Sequence, residues 1–239
     1  MFEATVKHMM NCEIIDLLNG EGCSIVGFAD ISSLSKESRQ NFDRGIVIGL
    51  SLSKEAMKEN KEGNPQKYHD EYLVINERLP ELARMVENLL IKKGYKALAK
   101  PSTSVVQDDN KRTVLPHKTV ATMAGLGWIG KCALLVTREV GSALRLIVVL
   151  TDAPLDCGIP ITRSLCRPGC AICSDVCPGR AVQGRTLWEA GMDREVFFHA
   201  DDCYTAARAR ARAELDVDAT FCGLCMSNCP FTKHGLGYE

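Results

Sequence analysis

The sequence predicts an α+β protein in two parts: a mixed sheet with helices over residues 1–155, and a cysteine-bound module over residues 156–239. Three observations predict it. Short β-branched runs alternate with one long helical pattern in the first part. Eight of the twelve cysteines fall in the last 74 residues. Within that stretch a single cysteine pattern occurs twice. Apolar residues at 46% and charged residues at 25%, with no single-sign tract, are the composition of a folded globular chain.

In chain order, "CSIVGFAD" (23–30) and "GIVIGLSL" (45–52) read as strands, because β-branched runs are bounded by glycine and polar residues. Ile75, Leu79, Leu82, Val86 and Leu89 recur at helical spacing, with Lys92 and Lys93 in the last turn and Gly94 at the C-terminal cap. Pro80 is expected to kink that helix or to begin its second half. "YKALAK", "CALLVT" (132–137) and "LRLIVVLT" (144–151) read as further strands, the last two joined by "REVGSA" as a hairpin. The segment "HKTVATMA" reads as a helix.

The charge balance, 29 basic against 30 acidic residues overall and 9 against 10 from Pro160 onward, makes neither part a polyanion binder. The N-terminus lacks an apolar run ending in a cleavage site, and the longest apolar run, "LIVVL", is too short to span a bilayer. A cytoplasmic protein is expected, with no membrane and no nucleic acid as partner.

Cytosolic thiols stay reduced, so clustered cysteines there point to metal rather than disulfides. "CAICSDVCP" (170–178) and "CGLCMSNCP" (222–230) share the pattern C-x2-C-x3-C-P, and each has one further cysteine upstream, Cys166 and Cys203. A loop so spaced wraps three thiolates around one cluster. The fourth cysteine precedes a proline that opens a short helix, which directs its thiolate toward the other cluster, as in two-cluster ferredoxins. The expected ligands are Cys166, Cys170, Cys173 and Cys229 for one 4Fe-4S cluster, and Cys203, Cys222, Cys225 and Cys177 for a second. Zinc also uses C-x2-C pairs, but it leaves the third cysteine and both prolines without a role. Cys166 and Cys170 are separated by three residues rather than two, so Cys157 remains an alternative to Cys166.

"GLGWIG" satisfies G-x-G-x-x-G at Gly125, Gly127 and Gly130. A dinucleotide site needs a strand before that motif and a helix after it. The order here is reversed, so a Rossmann site is not expected. A glycine-rich junction carrying Trp128 instead suggests a backbone lying against something flat or bulky, or a tight turn whose tryptophan fills the core.

The segment His117–Leu155, with "AGLGWIGK" at its centre, and the two cysteine motifs after it resemble the epoxyqueuosine reductase-like family of double-cluster iron-sulfur proteins. The likeness runs from "VGFAD" at Val26 to "CPFTKH" at His234. It implies a cobalamin-binding domain of nitroreductase-like character, followed by a two-cluster ferredoxin-like module. It also implies electrons passing from a small donor such as ferredoxin or flavodoxin, through the clusters, to a corrinoid or to a small-molecule substrate. Two departures are visible. Thr113 stands where the epoxyqueuosine reductases carry an aspartate three residues before a proline, and the chain ends at Glu239 without their helical-repeat extension. A family relative with a different substrate is expected.

The remaining site candidates are His117 as proton donor or cofactor contact, with helix capping as the plainer role, and Gly125, Gly127, Trp128, Gly130 and Lys131 as cofactor contacts. Asp108 and Asp109 read as a solvated turn. Cys23 and Cys132 read as small buried residues in strands, and Arg208 and Arg212 as a solvated helix face. Two functions remain open: an iron-sulfur oxidoreductase with its own site in residues 1–155, or an electron-transfer or reductive-activation partner that docks another protein's cofactor.

Overall fold

The computed structural model describes residues 2–100, 108–109, 111–184 and 186–239. The elements follow in the order α1 (Phe2–Gly20), β1 (Ile25–Asp30), α2 (Lys36–Arg39), β2 (Arg44–Ser51), α3 (Lys54–Lys61), α4 (Gln66–Lys92), β3 (Ala97–Lys100), α5 (His117–Met123), β4 (Trp128–Ile129), β5 (Leu135–Val136) and β6 (Leu144–Thr151). The C-terminal part adds α6 (Ile172–Asp175), a 3₁₀ turn at Arg194–Val196, α7 (Ala200–Leu215), α8 (Leu224–Ser227) and α9 (Pro230–Leu236).

The main sheet has the order β1-β2-β6-β3, with every pair antiparallel. The mixed sheet expected from the sequence is therefore an antiparallel one. β2 and β6 are central and apolar at nearly every position because both faces are covered, and side chains alternate between the faces. Ile46, Ile48, Ile147 and Val149 point into a core with Ile14, Leu18, Leu79, Leu82 and Val86 of α1 and α4. Val47, Val148 and Leu150 meet Val120, Ala121 and Ala124 at α5 on the other side. In α1, Met10, Ile14 and Leu18 make a narrow buried stripe at four-residue spacing.

α4 runs unbroken for 27 residues with Pro80 inside it. Proline costs about 3 kcal/mol in a helix interior. The buried stripe on both sides of Pro80, from Ile75 to Leu90, holds the helix against the sheet and offsets that cost. Gly94 has φ +89° and its amide donates to the Ile91 carbonyl, ending the helix where the sequence places the cap.

The expected hairpin between "CALLVT" and β6 does not form. β5 pairs with β4 in a separate two-stranded sheet, Trp128 opposite Val136 and Ile129 opposite Leu135. The intervening turn closes on itself, the Thr137 amide donating to the Gly141 carbonyl, and it packs against Thr232 of α9. Cys132 consequently lies in a turn and not in a strand, and Cys23 precedes β1 with its thiol donating to the Ile25 and Gly49 carbonyls.

Residues on both sides of position 155 share apolar clusters. Phe221, Met226 and Tyr238 belong to the α1/α4 core, and Trp188 and Phe197 pack with Trp128 and Val136. No described helix is long and apolar enough to cross a membrane.

Candidate functional site

The two cysteine-rich loops fold into two adjacent cavities. Cys166, Cys170, Cys173 and Cys229 all line the first, of about 280 Å³, together with Gly130, Lys131, Cys132 and Cys225. Cys177, Cys203, Cys222 and Cys225 all line the second, narrower one. Each cavity thus mixes thiols of the two patterns: Cys229 of the second reaches the first cavity, Cys177 of the first reaches the second, and Cys225 lines both. Cys229 can cross because Pro230 opens α9, with Cys229 at its N-cap, so the chain turns sharply beyond the thiol. Pro178 behaves differently. It enters a turn and no helix, because Arg180 takes φ +50° and Gly179 lies against the Asp202 carbonyl of α7. Cys157 lies apart from both cavities, its thiol near the Leu155 carbonyl. Among the described residues no three metal-ligating side chains converge tightly enough for a single ion.

The donors around these thiols suit thiolate ligands. Trp128 donates its indole N–H to Cys166 Sγ at 3.4 Å, and the Ala181 amide donates to Cys177 Sγ at 3.3 Å. Cys229 accepts from the amides of Thr232 and Phe231. Arg210 donates to the Cys222 carbonyl at 2.5 Å and reaches the Cys222 sulfur at 3.8 Å. Hydrogen bonds to sulfur are what stabilise and tune a soft metal cluster. Without metal, burial favours the protonated thiol at two of these positions: it pushes Cys229 up, and burial followed by the neighbouring Cys177 and Cys222 pushes Cys203 up to about 11. Metal loading must displace those protons and is favoured by rising pH.

The glycine motif serves this wall. Gly125 has φ +75°, and a Cβ there would lie 2.6 Å from the Ile159 carbonyl oxygen; a Cβ on Gly127 would overlap the Val136 carbonyl. Gly130 lets the turn approach Val136 and Cys166. Trp128 is buried, with its ring edge-on to Phe231 at 4.8 Å. Lys131, also buried, donates to the Pro168 and Cys170 carbonyls at 3.0 and 2.7 Å, so its charge is spent on holding the first cysteine loop. Nothing in the cysteine spacing announced this use of Trp128 and Lys131. Cys132 is buried with its thiol in contact with Cys173 and Cys225, one from each set. Replacing Trp128 by phenylalanine removes one N–H···S bond, a loss of about 1 kcal/mol or roughly 40 mV for one electron. A lowered midpoint potential in W128F, measured by redox titration with unchanged iron content, is expected.

A third and larger cavity, of about 660 Å³, lies between α5, β4 and the 160–197 segment. Thr113, Lys118, Met123, Trp188, Arg194 and Phe197 are among its walls. His117 does not line it; it faces a separate cleft with Leu134, Leu144 and Arg145, its Nδ1 3.1 Å from the Leu146 carbonyl. A carbonyl only accepts, so Nδ1 carries the proton, and burial holds the ring neutral by pulling its pKa below 6.5. Nε2 is then an acceptor, buried without a partner. Asp108 and Asp109 form the expected turn, the Arg112 amide donating to Asp108. Arg208 and Arg212 both reach Asp218 on the surface.

Lys118 donates to the Ala133 carbonyl at 2.6 Å, and burial, then the Arg194 charge, pull its pKa down to about 8. The folded chain therefore gives up this proton before the unfolded one does. The destabilisation is complete below about pH 8 and is relieved as pH rises toward the ordinary lysine value. We expect K118M to melt higher than wild type at pH 7, with the difference shrinking by pH 9.5 in thermal scans.

No family model matches the chain. The chain is 30% identical over 168 residues to the epoxyqueuosine reductase of Synechococcus sp. (strain CC9605), an overlap of 70% of this chain and 48% of that protein. The chain belongs to the epoxyqueuosine reductase-like family. Its fold agrees with a crystal structure of selenomethionine-labelled epoxyqueuosine reductase, with a TM-score of 0.61 and 19% identity over 95% of this chain and 66% of the other. A reductive dehalogenase whose structure suggests a mechanism for B12-dependent dehalogenation matches at TM-score 0.61 and 20% identity, over 91% of this chain and 31% of the other. These curated and solved relatives are redox enzymes. This epoxyqueuosine reductase-like chain spans about half the length of the curated relatives it matches. It has Thr113 on the wall of the large cavity, and no acidic side chain is among that cavity's described lining residues.

Proposed function

We propose that the chain is an iron-sulfur oxidoreductase. Two 4Fe-4S clusters, on Cys166/Cys170/Cys173/Cys229 and Cys203/Cys222/Cys225/Cys177, carry electrons toward a cofactor or substrate held in the large cavity. The observation that carries the reading is that Cys166, Cys170 and Cys173 share a cavity with Cys229 of the second pattern, Cys203 and Cys222 share the adjacent one with Cys177 of the first, and Cys225 lies on the wall of both. In this reading residues 1–155 form a nitroreductase-like domain, residues 156–239 a ferredoxin-like module, and a small protein such as ferredoxin or flavodoxin supplies the electrons.

When bound, the clusters supply one-electron steps at low potential. The chain's own residues do the rest. Trp128 and the Ala181, Phe231 and Thr232 amides hold the sulfurs, and Lys131 pins the loop bearing Cys170. Trp188, Phe197 and Met123 keep the large cavity apolar. The cavity has the size of a small-molecule site. No step is assigned to a corrinoid.

The test is an anaerobic reductive titration of the full chain, followed by addition of cobalamin. Uptake of about two electrons per chain, one for each cluster, supports the proposal. Uptake of none overturns it. A cobalamin spectral change adds the corrinoid to the cavity, whereas electron uptake with no response to cobalamin or small molecules favours the docking partner over the oxidoreductase.

A further inference from the structure

We infer that the large cavity is a binding site for an organic anion, a carboxylate or phosphate carried on an apolar body, with Lys118 as the side chain that binds the charge. The proposal begins from an imbalance. The Lys118 ammonium has three donors and a single acceptor, the Ala133 carbonyl. No carboxylate is within salt-bridge reach of it among the described residues, and the nearby Arg194 charge repels it. Lys118 is half-buried on the wall of the cavity, and an ammonium so placed without a counter-charge favours an anionic ligand there.

The walls add to the imbalance. Arg112 and Arg194 line the same space, and among its described lining residues there is no acid. Both guanidiniums have partners of their own, Arg112 with Asp193 and Arg194 with Glu195 and the Lys111 carbonyl, so they shape the field of the cavity while Lys118 keeps its capacity for a ligand. Thr113 and Thr119 offer hydroxyls beside Lys118. The rest of the surface is apolar and includes two large rings, Trp188 and Phe197, with Met123, Ile129 and Ile161. A site of this size, apolar with a few convergent polar groups of one sign, selects a small organic oxyanion over a cation or a neutral polar molecule. That the anion is the substrate rests on the function proposed above; its binding does not.

The test is calorimetric titration of the full, cluster-loaded chain with 1-naphthoate, 1-naphthyl phosphate, the neutral 1-naphthamide and inorganic phosphate. In the wild type at least one of the naphthyl anions should bind about tenfold or more tighter than the amide, a difference of about 1.4 kcal/mol. K118M should abolish that preference while leaving the amide within about twofold, and K118R should retain it. Whichever naphthyl anion binds tighter identifies the oxyanion, and inorganic phosphate alone should bind weakly for lack of an apolar body. Equal affinity for acid and amide, a preference that survives K118M, or no anion binding at millimolar concentration overturns the inference. A chain with its full iron content and no anion preference would sink this inference alone; an anion preference in a chain that holds no iron would sink the proposed function alone.

Discussion

Replacing Cys229 by alanine is expected to empty the cavity built by Cys166, Cys170 and Cys173, and to leave filled the one built by Cys222 and Cys225, its own neighbours in sequence. Cys229 lines the first cavity because the chain turns at Pro230, and the second cavity draws its fourth thiol from Cys177. Iron should fall from about eight to about four atoms per chain. The pairing is read by non-additivity. C166A/C229A should lose no more iron than C229A, because both variants strike one site, whereas C203A/C229A should lose nearly all of it. The opposite pattern, additive loss in the first pair and shared loss in the second, would mean that each loop keeps its own cluster.

The second large effect is on stability. Gly127→Ala should lower stability by roughly 3 kcal/mol or more, at the upper end for a single substitution. Its Cβ would overlap the Val136 carbonyl, a backbone atom in the strand paired with Trp128, and so cannot be relieved by a side-chain rotation. The β4–β5 pair must open, which also moves the Trp128 indole from Cys166. Gly20→Ala, where nothing lies within 4 Å of the added methyl, is the matched control and should be neutral or slightly stabilising. Thermal melts of the two variants compare them directly: a fall of roughly 6–12 °C for G127A and little change for G20A.

The sequence shows some of this architecture more plainly than the rest, for physical reasons. β1, β2 and β6 are readable because β2 and β6 are covered on both faces and leave unbroken apolar runs. The long helix is readable because its stripe and its glycine cap agree. α1 is faint, since only Met10, Ile14 and Leu18 mark its buried side. "CALLVT" looks like one strand by composition, yet only Leu135 and Val136 pair, because the partner is the two-residue β4 and the turn after Thr137 closes on α9. Both the cysteine patterns and the reversed order around "GLGWIG" are local signals, and they place eight thiols and exclude a dinucleotide site from short stretches of sequence. The roles of Trp128, Lys131 and Lys118 are not local. Lys131 meets carbonyls 37 and 39 residues away, and Lys118 shares its cavity wall with segments from several parts of the chain. Lys118 follows His117 directly, and sequence alone gives no reason to prefer it.

The central claim is that the C-terminal cysteines hold two four-iron clusters, and its most direct test is the iron and acid-labile sulfide content of the full chain after anaerobic reconstitution. About eight of each per chain is the predicted result. A colourless protein that binds zinc and contains no labile sulfide would contradict it.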